Sequence, residues 1–166
     1  MQLTTDTEDR VDESASVAYY AIRLTRYDVH EGYMPDGRSG NDNGRTQGGS
    51  NAEIVIADAF VKGIKRIDYS TAYQAMIKDA EVPPIDAQKE GRGGISDYNI
   101  KGYVSLAFER SASRTLEYSY DDFAIAELAR SHGRTADYRK YIRRANNWTN
   151  LWDSSTRDGS VNGLIL

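Results

Sequence analysis

The sequence contains no cysteine, only three prolines and no long uninterrupted apolar run. Without cysteine, neither a disulfide framework nor a thiolate metal site can form, and the redox compartment stays open. No stretch approaches the roughly 18 apolar residues that cross a bilayer, and the polar N-terminus lacks the apolar centre of a signal peptide. We therefore predict no membrane association and no targeting segment, and the sequence leaves the compartment unknown.

The sequence also has no excess of basic residues over acidic ones. The chain has 21 Lys and Arg against 25 Asp and Glu, for a net charge of −4 at pH 7. Its basic residues are scattered among acids, which is not typical of a surface that follows phosphates. The two histidines, His30 and His132, stand far apart and match no metal-binding spacing. The sequence thus predicts no nucleic-acid partner and assigns no metal ligand.

Helical patterns are present after residue 50. Ser50-Asn51-Ala52-Glu53 matches a capping box ahead of the apolar run Ile54 to Ile64, which predicts a helix buried on more than one side. Asp68 is predicted to cap a second helix over residues 70–81, which the prolines at 83 and 84 end.

A third and longer helix is predicted over residues 111–132, ending before Gly133, and Thr135 is predicted to cap a fourth. The apolar face of the long helix is predicted to consist of Leu116, Tyr120, Phe123, Ala124 and Leu128. Residues 14–30 fit either a helix or a strand. With no convincing alternating strand, the fold class predicted is all-α.

Two glycine-rich stretches, residues 32–50 and 83–105, are predicted to be long loops. Planar polar side chains in the first loop suit the hydroxyls of a sugar, although composition alone favours an ordinary solvated loop. The loop residues with this chemistry are Arg38, Asn41, Asn43, Arg45, Thr46 and Gln47. Arg92 in the second loop is either a carboxylate-binding group or a plain loop cation.

A carboxylate cluster occurs on the long helix, at Glu117, Asp121 and Asp122. An inverting glycosidase needs its acid and base about 6.5–9.5 Å apart, whereas helix neighbours lie closer, at about 5–6 Å between Cβ atoms. A structural role is therefore favoured over catalysis for this cluster.

Four collinear segments carry a resemblance to a known family. The chain resembles eukaryotic, especially fungal, α-mannosidases of glycoside hydrolase family 92 over about residues 31–153. The segments are GYMPDGRSGNDNGRTQGGSNAEIVIADAFVKGI, AYQAMIKDAEVPP, EGRGG and ERSASRTLEYSYDDFAIAELARSHGRTADYRKYIRRANNWTNLWD.

The resemblance implies an exo-acting, inverting, calcium-dependent enzyme that removes terminal mannose, mostly α-1,2-linked, from glycans. It also implies a secretory route for the intact enzyme and a partial (α/α)6 toroid of helical hairpins for residues 31–166. Residues 1–30 match the family poorly. By the same likeness, the substrate-binding positions are predicted to be Arg38, Asn41, Asn43, Arg45, Gln47 and Arg92.

The family's β-sandwich and the motifs that carry the catalytic acid, the base and most calcium contacts have no counterpart in this sequence. No catalytic residue is therefore assigned, and we expect a truncated family member that does not catalyse alone. The alternative is a non-catalytic helical domain that binds glycans or regulates.

Overall fold

A computed structural model describes residues 32–34, 50–87 and 90–165. Within these ranges the chain forms five α-helices, one 3-10 helix and a two-stranded sheet. Predictions about residues 1–31, including the helix or strand at 14–30, lie outside the described residues. None of the described helices is long and apolar enough to cross a membrane.

The first helix, α1, spans Ala52–Val61. The predicted capping box is wrong, because the N-cap is Asn51 with no side-chain hydrogen bond, and the Glu53 side chain turns instead to Arg92. The helix is also less enclosed than its composition predicts, since Ile56 is fully buried while Val61 is 74% exposed.

The second helix, α2, spans Tyr69–Glu81, and its predicted cap is confirmed. The Asp68 carboxylate accepts hydrogen bonds from the Thr71 backbone N–H at 3.0 Å and from the Thr71 hydroxyl at 2.8 Å. After Glu81 the backbone becomes extended at Val82, the conformation favoured before a proline.

The prediction of an irregular surface connection over residues 83–105 is wrong from residue 90 to residue 101, although residues 82–87 lack regular structure and Ile85 is exposed. A short helix, α3, spans Ile95–Lys101, and residues 90–95 just before it are buried. Ile95 and Tyr98 pack with Val104 and Tyr118 in a small apolar cluster, so residues 90–95 and Tyr98 are part of the interior.

The long helix, α4, spans Ser111–Ser131. It packs against α1, α2 and the helix that follows it, and its Tyr118 joins the apolar cluster of α3. Gly133 has a φ of +69°, as the predicted helix end requires. The predicted apolar face is confirmed at Ala124 and Leu128 but wrong at Tyr120 and Phe123, which are 54% and 43% exposed.

The C-terminal part contains α5 at Thr135–Arg144, a 3-10 helix at Asn147–Leu151 and two antiparallel strands, β1 at Trp152–Asp158 and β2 at Val161–Ile165. The strands pair Trp152 with Ile165 and Asp158 with Val161. This hairpin corrects the all-α prediction: the described fold is mostly helical with a small sheet. Thr135 is not a cap, because the N-cap is Arg134 without a side-chain hydrogen bond.

The main core lies between α1, α2, α4 and α5. Its buried members are mostly small, with alanines from α1, α2 and α4 beside Ile56, Met76, Leu128 and Tyr141. Small side chains let helix axes approach closely, so charged groups on these helices come within reach of one another.

Candidate functional site

Arg92 lies at the centre of a buried charge cluster. The residue is 1% exposed. Its Nη1 donates to Oδ1 of Asp122 at 2.8 Å, and its Nη2 donates to Oε2 of Glu53. Both carboxylate side chains are fully buried. A single side chain from the segment before α3 thereby joins α1 to α4.

The glycines beside Arg92 allow this close packing. Gly94 has a φ of +75°, in the region that favours glycine, and a Cβ there would lie 2.8 Å from Cγ1 of Val104. A Cβ at Gly93 would overlap the guanidinium of Arg114. The GRGG sequence therefore serves packing around a buried cation.

Asp122 also binds a second cation. Its Oδ2 accepts a hydrogen bond from Nε of Arg144 at 2.7 Å and from the Tyr98 hydroxyl at 3.2 Å. Arg144 donates through Nη1 to Oε1 of Glu81 at 2.7 Å. The chain of charges from Glu53 to Glu81 thus connects α1, α4, α5 and α2.

Two further buried carboxylates hold backbone amides. Both oxygens of Asp79 accept from the Met34 N–H at 3.2 Å, and Oδ2 of Asp121 accepts from the Ser50 N–H at 3.3 Å. Met34 and Ser50 flank residues 35–49, the stretch with most of the predicted sugar-binding side chains. The cluster therefore fixes the described residue on each side of that stretch.

Negative charge exceeds positive charge in this cluster. Burial raises the pKa of Glu53, Asp79 and Asp121 well above their ordinary values, and Arg92 only partly opposes the effect. For Arg92 itself burial lowers the pKa, but Glu53 and Asp122 outweigh this and the pKa is raised. Some of these carboxyl groups therefore retain protons at pH values where exposed carboxyls are ionised.

Two carboxylate oxygens in the cluster, Oε1 of Glu53 and Oδ1 of Asp121, have no hydrogen-bond partner in the part of the chain that the structure describes. Across those same residues, no group of three acidic or histidine side chains is arranged to hold a metal ion. The buried carboxylates of the cluster bind Arg92, Arg144 and backbone amides instead.

Most of the predicted substrate-binding positions fall outside the described residues; these are Arg38, Asn41, Asn43, Arg45 and Gln47. Arg92 is described, and its position favours an internal role over the predicted glycan contact, because both Nη groups bind buried carboxylates. Asp121 and Asp122 are fully buried with internal partners, as expected for a structural role.

Sequence reasoning missed Glu53, Asp79 and Arg144 as members of this cluster. A signal was available for Glu53, because a carboxylate inside the apolar segment AEIVIADAF needs a buried partner. Asp79 and Arg144 lie in ordinary amphipathic helices, where only the packing of α2, α4 and α5 distinguishes them from solvated charges.

Comparison with known proteins decides the family. Residues 14–162 match the model of the glycosyl hydrolase family 92 catalytic domain. The chain belongs to glycosyl hydrolase family 92.

One relative within this family is an uncharacterized secreted glycosidase from Arthroderma benhamiae, 41% identical over 149 residues, which cover 82% of this chain and 19% of the relative. Two solved structures from Bacteroides thetaiotaomicron are also similar, each with a TM-score of 0.69. One is an inverting mannosidase of family GH92, 28% identical, with 89% of this chain and 19% of that chain covered. The other is a GH92 α-mannosidase in complex with mannoimidazole, 30% identical, with 87% and 18% covered.

The family 92 chain described here spans about a fifth of the length of these relatives. Both Nη groups of Arg92 donate hydrogen bonds to buried carboxylates. Within the described residues, this region therefore provides a framework that orders neighbouring backbone.

Proposed function

We propose that this chain is part of an exo-α-mannosidase that removes terminal, mostly α-1,2-linked mannose from glycans. The observation that carries the proposal is the structural likeness to two GH92 mannosidases at 28–30% identity over nearly the whole chain. One of these relatives is solved with mannoimidazole, which supports a mannose-containing glycan as the substrate class.

The architecture proposed for the complete domain is an (α/α)6 toroid, of which α1 with α2 and α4 with α5 form two hairpins. Support comes from the order of the helices and from the packing of α4 against both α1 and α5. The resemblance also suggests secretion for the intact protein, as its Arthroderma benhamiae relative is described as secreted.

The reaction proposed for the complete enzyme is hydrolysis with inversion, aided by calcium that helps distort the mannose ring. Supporting this, one similar structure is an inverting mannosidase. The buried carboxylates Glu53, Asp79, Asp121 and Asp122 are enclosed by internal partners, which makes them poor candidates for an acid and base that must reach a glycan. We infer that the acid, the base and most of the calcium ligands lie in other parts of the complete enzyme, so the chain alone is expected to be inactive.

The contribution proposed for this chain is glycan binding through residues Arg38, Asn41, Asn43, Arg45 and Gln47. Their planar donors and acceptors suit sugar hydroxyls, which both donate and accept. The hydrogen bonds from Met34 to Asp79 and from Ser50 to Asp121 hold the described residue on each side of these positions, which supports the proposal. Arg92 then acts indirectly, through the carboxylates around it.

The test exchanges the matching segment of the Bacteroides GH92 α-mannosidase for residues 14–162 of this chain. We expect the hybrid to release mannose from α-1,2-mannobiose, with a loss of activity on calcium chelation. The isolated chain 1–166 should show no turnover under the same conditions. Nuclear magnetic resonance of the first-formed anomer checks the inversion.

A folded hybrid without mannosidase activity, beside an active unmodified host, would contradict the proposal. Turnover by the isolated chain would overturn its expected inactivity. Saturable binding of mannobiose to the isolated chain by calorimetry, with an inactive hybrid, would favour the alternative of a non-catalytic glycan-binding or regulatory domain.

A further inference from the structure

The sequence contains one acceptor motif for N-linked glycans, Asn147-Trp148-Thr149. It is the single Asn-x-Ser/Thr triplet among the 166 residues, and its middle residue is not proline. Such triplets carry glycans on the surface of secreted proteins. Because the triplet also occurs by chance, its position in the fold decides whether it is suited to be an acceptor.

The motif lies at the start of the 3-10 helix Asn147–Leu151, between α5 and β1. None of the five residues of this helix is buried. Trp148 is 41% exposed, Thr149 is exposed and Asn147 is partly exposed. The Thr149 hydroxyl donates to the Asn146 carbonyl at 2.8 Å, a contact within the same turn that ties it to no other element. The motif therefore lies on the surface of the described fold.

The amide of Asn147 differs from the amides of the two asparagines beside it. Nδ2 of Asn146 donates to the Ile142 carbonyl at 3.0 Å, and Nδ2 of Asn150 donates to the Gly102 carbonyl at 2.9 Å. The Asn147 side chain makes no hydrogen bond to any residue that the structure describes. Of these three amide nitrogens, the one within the motif is thus the one without an internal acceptor.

The orientation of the Asn147 amide also suits an attached group. A Cβ placed at Gly102, at the C-terminal end of α3, would lie 3.4 Å from Oδ1 of Asn147 and 3.7 Å from its Cγ. Nδ2 lies farther from that point than either of these atoms. The oxygen side of the amide therefore packs against a glycine, and a group joined to Nδ2 extends away from it.

We propose that Asn147 carries an N-linked glycan when the chain passes through a secretory compartment. The co-reactant is an oligosaccharide joined to a lipid diphosphate. Nδ2 of Asn147 forms a bond to the anomeric carbon of the oligosaccharide, and the bond between that carbon and the diphosphate breaks. The lipid diphosphate leaves with the bonding electron pair, and the amide nitrogen loses one proton. This inference rests on the secretory route proposed above, but not on the hydrolysis of mannose.

The experiment expresses the chain 1–166 in yeast behind a cleavable secretion signal and measures its mass before and after peptide N-glycosidase treatment. We expect a heavier species, which the glycosidase reduces to the mass of the bare chain with position 147 changed to aspartate. Asn147→Gln and Thr149→Ala should each abolish the heavier species, whereas Thr149→Ser should keep it because the hydroxyl is retained. Asn150→Gln is the matched control, since it changes a neighbouring asparagine outside the motif and should leave the glycan in place.

A second acceptor motif reports whether the chain has reached the compartment. Asp158→Asn turns Asp158-Gly159-Ser160, at the exposed turn between β1 and β2, into an Asn-x-Ser triplet. Combined with Asn147→Gln, this substitution should restore one glycan.

Two results would overturn the inference: an unmodified parent chain beside a glycosylated Asp158→Asn variant, or a glycan that persists in Asn147→Gln. Because the experiment supplies the secretion signal, its outcome does not depend on whether the natural protein is secreted. It also involves no mannosidase assay, so failure of this inference and failure of the proposed function can be told apart.

Discussion

Arg92 binds two buried carboxylates, and only one of them, Asp122, has a second cation beside it, Arg144. Glu53 uses Oε2 for Arg92 while its Oε1 has no partner among the described residues, and Asp122 keeps only Arg144 and Tyr98 if Arg92 is lost. Removing one member of a buried ion pair leaves an uncompensated charge, which is far more costly than losing an exposed pair.

We therefore expect Arg92→Met to lower the free energy of unfolding by about 3–5 kcal/mol. Urea denaturation of the chain 1–166 measures the change. The control is Arg130→Met, which removes a cation that is 63% exposed and should cost about 1 kcal/mol or less. Equal costs at the two positions would show that the Arg92 pairs contribute no more than a surface contact.

At the level of elements, the sequence predicts a helix correctly where apolar periodicity and capping residues agree. It does not predict the elements that depend on tertiary packing. The helix starting at Tyr69 was predicted because the Asp68 cap and the two prolines mark both ends. Helix α3 was missed since GRGGISDYNIK has loop composition, and its burial depends on contacts with α4 that local sequence does not encode. The β1–β2 hairpin was missed for a related reason: WDSSTRD lacks alternating apolar residues and stays largely exposed.

In the candidate site, too, local sequence predicts the role of some residues, whereas their partners depend on tertiary structure. Asp121 and Asp122 were predicted to be structural because carboxylates that are neighbours on one helix lie too close together for an inverting acid and base. Those partners, Ser50 N–H and Arg92, lie 71 and 30 residues away along the chain, so only the tertiary structure reveals them.

Helix capping can be tested directly. The sequence predicts side-chain caps at Asp68 and Thr135, but in the structure only Asp68 makes a capping hydrogen bond. We expect Asp68→Ala to lower the free energy of unfolding by about 1 kcal/mol, because the Thr71 amide loses its acceptor. Thr135→Ala should change it by less than about 0.5 kcal/mol, as the residue makes no cap hydrogen bond. Thermal or urea unfolding distinguishes the two, and a larger loss at Thr135 would contradict the assignment of Arg134 as the N-cap.

For the whole molecule, the buried cluster links stability to pH. Burial raises the folded-state pKa of Glu53, Asp79 and Asp121 above the values these groups have in the unfolded chain. The folded state therefore holds protons that the unfolded state releases above about pH 4, and stability falls as the pH rises through the raised pKa values. Glu81 acts in the opposite sense. Burial raises its pKa, but the hydrogen bonds from Lys140 and Tyr141 outweigh burial and lower the pKa. Its contribution to the free energy of unfolding is therefore lost only as the pH falls below 4.5, the ordinary pKa of the group.

We expect the chain to unfold at a higher urea concentration at about pH 5.5 than at about pH 8, with a slope of up to about 1.4 kcal/mol per pH unit for each retained proton. Asp121→Asn should flatten this slope, since the amide removes one titrating group while its Oδ1 can still accept from the Ser50 N–H. The same substitution at the exposed Asp158 should leave the slope unchanged. A stability that rises from about pH 5.5 to about pH 8 would mean that these carboxylates are ionised in the folded chain and that Arg92 and Arg144 together compensate them fully.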